Sequence, residues 1–357
     1  MNDNLKFLKI YKDKKVLITG STGFKGSWLC FWLKNLDAKV VGVGLKPEKG
    51  SILFKSLELK KIIKQYFLDI SNFNQINKII KKEKPDIIFH MAAQSIVSES
   101  YIEPFKTIKS NTLGSVNILE SVRKNKIKNL IYITSDKCYL NTEKKTGYKE
   151  KDALGGFDNY SSSKAAAEIL FQSYYSSFFE KKYLNHATVR AGNVIGGGDM
   201  KVNRVIPDII KSLISNKQII IRSPNATRPW QHVLEPLFGY LKLGSLMMSK
   251  KIKNIENPNW NFGPNKKNCV KVIKITKMII KKWSNRKYKV NIKKNKNFKE
   301  SNLLSLNIDK AFKELKWKPK LTLNENLDLT VDWYKSYYLR KNMQKYTLSQ
   351  IKFFLDK

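Results

Sequence analysis

The sequence runs to 357 residues, 42% hydrophobic and 11% aromatic, enough apolar material to bury a large core, which excludes a disordered chain. Its formal charge is +39, yet the lysines run through nearly every segment instead of gathering on one tail, so charge alone does not mark a nucleic-acid binder. Strongly apolar stretches such as SWLCFWL at 27–33 fall far short of the roughly 18 residues a spanning helix needs, and MNDNLKFLKIYKDKK offers no continuous apolar signal segment. A cytoplasmic protein without membrane attachment is expected. Cys30, Cys138 and Cys269 lack CxxC spacing and have only His90, His186 and His232 beside them, which predicts free thiols and no metal site.

In chain order, KKVLITG (14–20) reads as a buried strand and Phe24 to Asn35 as a helix. AKVVGVGL (38–45) and QYFLDI (65–70) are the next strands. A helix from Asn72 to Lys82 leads to PDIIFHMAA (85–93), where Pro85 and Asp86 mark the strand entry. A long helix from Glu103 to Lys124 precedes KNLIYITS (128–135), a further helix covers Tyr160 to Phe179, and NHATVRAG (185–192) is the sixth strand. This alternation predicts an α/β fold, a Rossmann-like doubly wound parallel sheet with ligands at the carboxyl ends of its strands. After residue 195 the alternation stops; GGGD (196–199) opens a loop, and the chain finishes on an amphipathic helix around 327–341. The expected organisation is a dinucleotide-binding domain over 1–194 and a smaller C-terminal substrate-binding lobe, mainly 195–357, interleaved with the first.

GSTGFKG places Gly20, Gly23 and Gly26 between the first strand and the first helix. Glycines there let backbone amides approach a pyrophosphate, and the helix N-terminus adds partial positive charge. The acid that usually grips the cofactor ribose at the end of the second strand is missing, because Gly44, Leu45 and Lys46 stand there. NAD and NADP therefore both remain open on spacing, with Lys46 able to face a 2′-phosphate and Asp69 able to contact adenine.

IYITSDKCYL (131–140) ends a buried strand in Ser135, Asp136 and Lys137. A polar turn closing the strand would explain a hydroxyl, a carboxylate and an amine there, but YSSSK suggests more. It sets Tyr160 and Lys164 one helical turn apart, on one face, where the ammonium together with a positive nicotinamide would lower the phenol pKa and let phenolate act as a base. Only seven of the 68 basic residues are arginine, and Arg190, Arg204, Arg222 and Arg228 fall within 39 positions. Such clustering suits bidentate grip on phosphate, although Arg190 lies inside a strand pattern and reads as structural.

TGSTGFKGSWL, HMAAQSIV, NTLGSVNILE, TSDKCY, YSSSKAAAE, RAGNVIGGGD, ATRPWQHVLEPL and NFGP together resemble the extended short-chain dehydrogenase/reductase family, and within it the CDP-glucose 4,6-dehydratases. TSDKCY and RPWQHV discriminate best, since sister dehydratases acting on other nucleotide sugars carry glutamate where Lys137 stands. The resemblance implies NAD as cofactor, CDP-glucose as substrate, and a keto-deoxysugar product used in deoxysugar and O-antigen synthesis. Thr22, Phe24, Lys25, Ala92, Ala93, Gln94 and Asn111 would join the three glycines, Asp69, Tyr160 and Lys164 around the cofactor. Asn193, Arg204, Arg228 and His232 would hold the substrate, with His232 and Trp230 equally readable as packing. Ser135 would hydrogen-bond the sugar 4-hydroxyl that Tyr160 deprotonates, while Asp136 and Lys137 supply the acid and base for elimination, in an order left open. A homodimer through the helices near 103–124 and 160–179 is also implied.

Ser21, Phe157 and Met200 stand where this family more often shows histidine, histidine and tryptophan, departures that remove no catalytic group. Two other readings compete. A nucleotide-sugar 4-epimerase needs Ser135, Tyr160 and Lys164 but has no task for Asp136 and Lys137, and a nucleotide- or nucleic-acid-binding module would need none of the five.

Overall fold

The structure is a computed structural model and describes residues 3–48, 50–179, 183–252, 257–286, 288–293 and 303–357. The principal elements are β1 (Lys15–Thr19), α1 (Phe24–Lys34), β2 (Lys39–Gly44), β3 (Lys64–Phe67), α2 (Phe73–Glu83), β4 (Ile87–His90), α3 (Gly114–Lys124) and β5 (Leu130–Ile133). They continue with α4 (Asn159–Phe178), β6 (His186–Ala191), α5 (Val205–Ile214), β7 (Ile219–Ile221), α6 (Leu234–Met248), β8 (Asn259–Phe262), α7 (Val272–Trp283), α8 (Leu323–Tyr338) and α9 (Met343–Asp356).

Seven strands form one parallel sheet in the order β8-β6-β5-β4-β1-β2-β3. The β-type runs at 14–20 and 128–135 are buried on both faces, as strands with helices on each side must be. One face packs on α1 and α6, where Trp28, Leu29, Trp32, Leu237 and Leu241 are buried, and the other on α2, α3 and α4 through Ile76, Ile80, Ile118, Leu119 and Phe171. Each fully buried leucine or phenylalanine contributes about 1.5–3 kcal/mol relative to exposure. The chain steps outward from β1 in both directions, to β2 on one side and β4 on the other, so a crevice opens at the carboxyl ends of β1 and β4.

Two expectations need correction. The single helix over 103–124 is interrupted: Pro104–Ile108 is helical, Lys109–Leu113 forms a π turn, and α3 begins at Gly114. The π turn accommodates one extra residue per turn and points Asn111 inward, where its side chain is needed. Nor does the chain finish on the helix near 327–341, because α9 follows it and packs Phe354 against Trp32 and Phe238.

Beneath the crevice lies a buried ion pair. Arg190 on β6 donates to both carboxylate oxygens of Glu168 on α4, each at 2.9 Å, with the two side chains 1% and 2% exposed. Thr188 donates to Glu168 Oε2 at 2.9 Å and the Thr134 hydroxyl donates to Oε1. Arg190 Nη1 also donates to the Tyr139 hydroxyl at 2.7 Å, which in turn donates to Asn261 Oδ1 at 2.8 Å. Burial alone raises the Glu168 carboxyl, and the Arg190 charge and hydrogen bonds outweigh it, holding Glu168 below its ordinary value.

A second buried carboxyl behaves in the opposite way. Glu235, at the start of α6, accepts from the Lys320 and Leu321 amides at 2.8 and 2.7 Å through Oε1. Its Oε2 is buried with no partner among the described residues. Burial, opposed only in part by those amides and the Lys320 charge, pushes its pKa up to about 7.

Both carboxyls yield tests. Glu168→Ala leaves Arg190 charged and unpaired in the interior and is expected to cost about 3–5 kcal/mol in denaturant unfolding, against a smaller loss for Glu168→Gln; equal and negligible losses would remove the ion pair from its structural role. Folded Glu235 retains a proton that the unfolded chain releases near the ordinary value of 4.5, so its contribution to stability is lost as pH rises from there through about 7. The melting-temperature difference between wild type and Glu235→Gln is therefore expected to fall steadily between about pH 5 and about pH 8, whereas parallel curves would show that Glu235 titrates normally.

Candidate active site

The carboxyl ends of β1, β4, β5 and β6 open into a single cleft of about 880 Å³ that continues over α5 and β7. Its cofactor-like end is built by the glycine turn. Gly20 adopts φ +74°, and a Cβ there would stand 2.8 Å from the Ala92 nitrogen, while one at Gly26 would stand 2.0 Å from the Gly20 carbonyl oxygen. Helix α1 is thus pressed directly onto the turn, and its N-cap, Gly23, provides no side-chain cap, which leaves the first-turn amides for a ligand anion. This cradle fits the pyrophosphate of a dinucleotide. Thr22 donates to the Leu45 carbonyl at 3.0 Å, tying the turn to the end of β2.

Gly20, Thr22, Gly23, Phe24, Lys25, Gly26, Asp69, Ala92, Ala93 and Gln94 all line the cleft, as does exposed Lys46. Asn111 does not. It is fully buried on the π turn, accepts from the Gln94 amide at 2.8 Å, and donates to the Gln94 carbonyl and to Ser163, both at 3.0 Å. Its place in the cofactor shell is therefore corrected to support of the Gln94 loop, since every polar group of its side chain is already engaged.

Ser135, Asp136, Lys137, Tyr160 and Lys164 converge on the middle of the cleft. Beyond β5 the chain makes one 3₁₀ turn, Asp136–Cys138, whose N-cap is Ser135 with its oxygen 3.3 Å from the Lys137 amide. The Ser135 hydroxyl donates to Asp136 Oδ1 at 2.9 Å. Asp136 is 4% exposed, and burial raises its carboxyl above the ordinary range against the opposing pull of Lys137, Ser135 and Arg228. A carboxyl raised this way is easier to keep protonated, which a proton donor requires.

Tyr160 and Lys164 open α4, whose N-cap Asp158 accepts from the Ser161 amide at 2.9 Å. Burial lowers the Lys164 pKa to about 8, with Cys138 and Glu168 acting against it. In the chain by itself burial pushes the Tyr160 phenol up to about 12, and the nearby Ser135 hydroxyl and Arg204 charge offset only part of that. Lys25, one residue into α1, is brought down to about 7 by burial first and then by the charges of Lys164 and Arg204.

Arg204 donates to Asp199 Oδ2 and to Ser95 Oγ, both at 2.7 Å, and lines the cleft with Asn193 and Arg228. Asp199 and Ser95 are functional neighbours missed from the sequence; the Asp of GGGD was visible, but nothing in the spacing joined it to Arg204. Glu168 was likewise within sight in YSSSKAAAE, four residues past Lys164, without a reason to single it out. His232 is corrected to packing: it is fully buried edge-on to Trp28, with ring centroids 5.9 Å apart, and does not line the cleft. Trp230 lines the cleft while its indole nitrogen donates to the Val270 carbonyl at 3.1 Å.

The GDP-mannose 4,6 dehydratase family model matches residues 17–330. A CDP-glucose 4,6-dehydratase of Salmonella typhimurium is 40% identical over 339 residues, covering 93% of this chain and 94% of that protein. Human dTDP-D-glucose 4,6-dehydratase is 25% identical over 93% of each chain. Among solved structures, an epimerase of Methanothermobacter thermautotrophicus superimposes with a TM-score of 0.80 at 22% identity, covering 95% of this chain and 97% of that one. The NAD complex of Bacillus anthracis dTDP-glucose 4,6-dehydratase gives 0.75 at 21%, covering 93% and 99%; both likenesses bear on fold alone. With a family match across most of its length and a dehydratase relative at this identity, the chain belongs to the GDP-mannose 4,6 dehydratase family.

Proposed function

We propose that the protein dehydrates CDP-glucose to CDP-4-keto-6-deoxyglucose with NAD as resident cofactor. The observation that carries this reading is the meeting of Asp136 and Lys137 with Ser135, Tyr160 and Lys164 in one cleft, beside a glycine cradle. The 40% identity to a CDP-glucose 4,6-dehydratase supports both the reaction and the nucleotide. A 4-epimerase is the weaker reading because it leaves the buried acid and the adjacent amine without a task.

When bound, NAD would supply a positively charged ring, the acceptor for the carbon-4 hydride and the return of that hydride to carbon 6. The residues do the rest. Tyr160 as phenolate takes the 4-hydroxyl proton, with Ser135 hydrogen-bonded to that oxygen and Lys164 stabilising the phenolate. Once carbon 4 is a ketone, the carbon-5 proton is acidic. Lys137 removes it or stabilises the enolate, and Asp136, buried and raised, protonates the departing 6-hydroxyl. Arg204 and Arg228 lie along the diphosphate, and Asn193 at the end of β6 sits nearby. In this reading residues 1–194 chiefly hold the cofactor and 195–357 chiefly the nucleotide sugar, in a cytoplasmic enzyme whose product feeds deoxysugar synthesis.

The protein also assembles as a homodimer in this reading. Ile102, Phe105, Ile108 and Leu113 are 44–77% exposed along one stretch, and Ile169 on α4 is 57% exposed. Exposed apolar side chains on these two helical stretches are what an interface between copies would cover.

Incubation with NAD and each of CDP-, UDP-, GDP- and dTDP-glucose, followed by mass, is expected to show loss of one water from CDP-glucose alone. An unchanged mass with inverted carbon 4 would replace dehydration by epimerisation. Asp136→Asn and Lys137→Ala are each expected to slow dehydration by about 10²–10⁴-fold, and wild-type rates from both would return the pair to a polar strand end. Sedimentation equilibrium is expected to give twice the chain mass, with Phe105→Asp shifting it towards one; a monomeric wild type would refute the dimer.

A further inference from the structure

The chain after β6 and the chain after β2 meet across the top of the sheet. In the strand order β5, β4 and β1 lie between those two strands, so a contact between their loops spans the carboxyl ends of all three, including the one from which the glycine turn leaves. The contact is an ion pair. Lys201 Nζ donates to both carboxylate oxygens of Glu48, each at 2.9 Å, and both residues line the cleft.

The two sides of this bridge are held differently. On the Lys201 side, the Gly197 carbonyl accepts from Trp28 Nε1 at 3.0 Å, and a Cβ on Gly197 would stand 2.0 Å from Trp333 Cγ. Asp199, 5% exposed, accepts from the Tyr334 hydroxyl through its carbonyl, and from Arg204 and the Lys201 amide through its carboxylate. Lys211 donates to the Met200 carbonyl at 2.8 Å. This side is a fixed post. On the Glu48 side, Leu45 is 61% exposed, a Cβ on Gly50 would meet nothing within 4 Å, and the Thr22 bond to the Leu45 carbonyl holds only the near end of the loop. Among the described residues the Glu48 carboxylate has no hydrogen bond or ion pair besides Lys201.

We propose that Lys201 and Glu48 form a latch that closes the loop of residues 45–51 over bound dinucleotide and slows its release while it carries the hydride. The inference rests on the proposed function, whose chemistry gives the latch its use. The hydride taken from carbon 4 returns to carbon 6 only after water has left, so a reduced cofactor that escapes in between leaves the unsaturated ketone without its reductant. The two side chains are 47% and 70% exposed, and an ion pair so open to water changes an equilibrium only a few-fold. The latch therefore slows release by a factor of that size, weakens as salt rises, and still lets the loop open for entry.

The test is the dissociation rate of NADH, displaced by excess NAD and followed by its fluorescence with no sugar present. Wild type is compared with Glu48→Gln, Lys201→Gln and the charge swap Glu48→Lys with Lys201→Glu. Each single substitution is expected to speed release about two- to fivefold at low salt, with the swap near wild type and the differences fading as salt is added. The electrostatic field alone predicts another pattern: removing a carboxylate would hold the anionic cofactor longer, and removing an ammonium would free it sooner. At saturating NAD and CDP-glucose, kcat is expected to stay within about twofold of wild type while KM for NAD rises in both single variants. Opposite shifts in the two single variants, or wild-type release rates in both, would overturn the latch. A wild type that binds NADH but leaves CDP-glucose unchanged would strike the proposed reaction and not the latch, whereas one that binds no NADH would strike both.

Discussion

The geometry of the cleft depends on one desolvated ion pair. Arg190 and Glu168 join β6 to α4, and through the Tyr139 hydroxyl they also reach the chain just beyond Asp136 and Lys137. Tyr160 and Lys164 ride on α4, while Ser135, Asp136 and Lys137 ride on the turn after β5, so the two halves of the chemistry are held by the same guanidinium. Such a pair gives little net stability relative to apolar side chains of similar size, because both charges lose their water. What it does supply is a fixed separation between helix and strand end, which hydrophobic contacts, being non-directional, specify less sharply.

Burial is also what gives the cleft its proton chemistry. It raises Asp136 and Tyr160, lowers Lys164 and Lys25, and leaves neighbouring charges to correct each shift only in part. A buried carboxyl that tends to hold its proton is suited to donating it to a departing hydroxyl. The phenol must instead lose its proton. Within the chain's own field it remains protonated near neutral pH, so its activation calls for positive charge beyond what the nearby Arg204 provides.

The sheet was legible because its strands are nearly continuous apolar runs separated by helices, and strand ends in the sequence differ from the observed ones by only a few residues. The glycine turn was legible for the same local reason: Gly20, Gly23 and Gly26 fall between a strand and a helix. Asn111 and His232 were misplaced because a motif gives position along the chain without giving side-chain direction. A π turn swings Asn111 under Gln94, and the T-shaped packing on Trp28 draws His232 into the core. Ser95 and Glu168 escaped notice because their partners are distant in sequence, Arg204 lying 109 positions from Ser95 and Arg190 22 from Glu168, while Asp199 is only five from Arg204 but in no pattern that pairs them. Glu235 was inside a quoted segment, yet its proton depends on amides at 320 and 321 that no local pattern predicts.

The π turn at Lys109–Leu113 has two faces with different occupants. Inward, Asn111 grips the Gln94 loop; outward, Leu113 and the nearby Ile108 are exposed. Five residues of backbone therefore belong at once to the outer skin of the molecule and to the lining of its cleft. A change of backbone in this segment therefore alters the support of Gln94 and the exposed surface together.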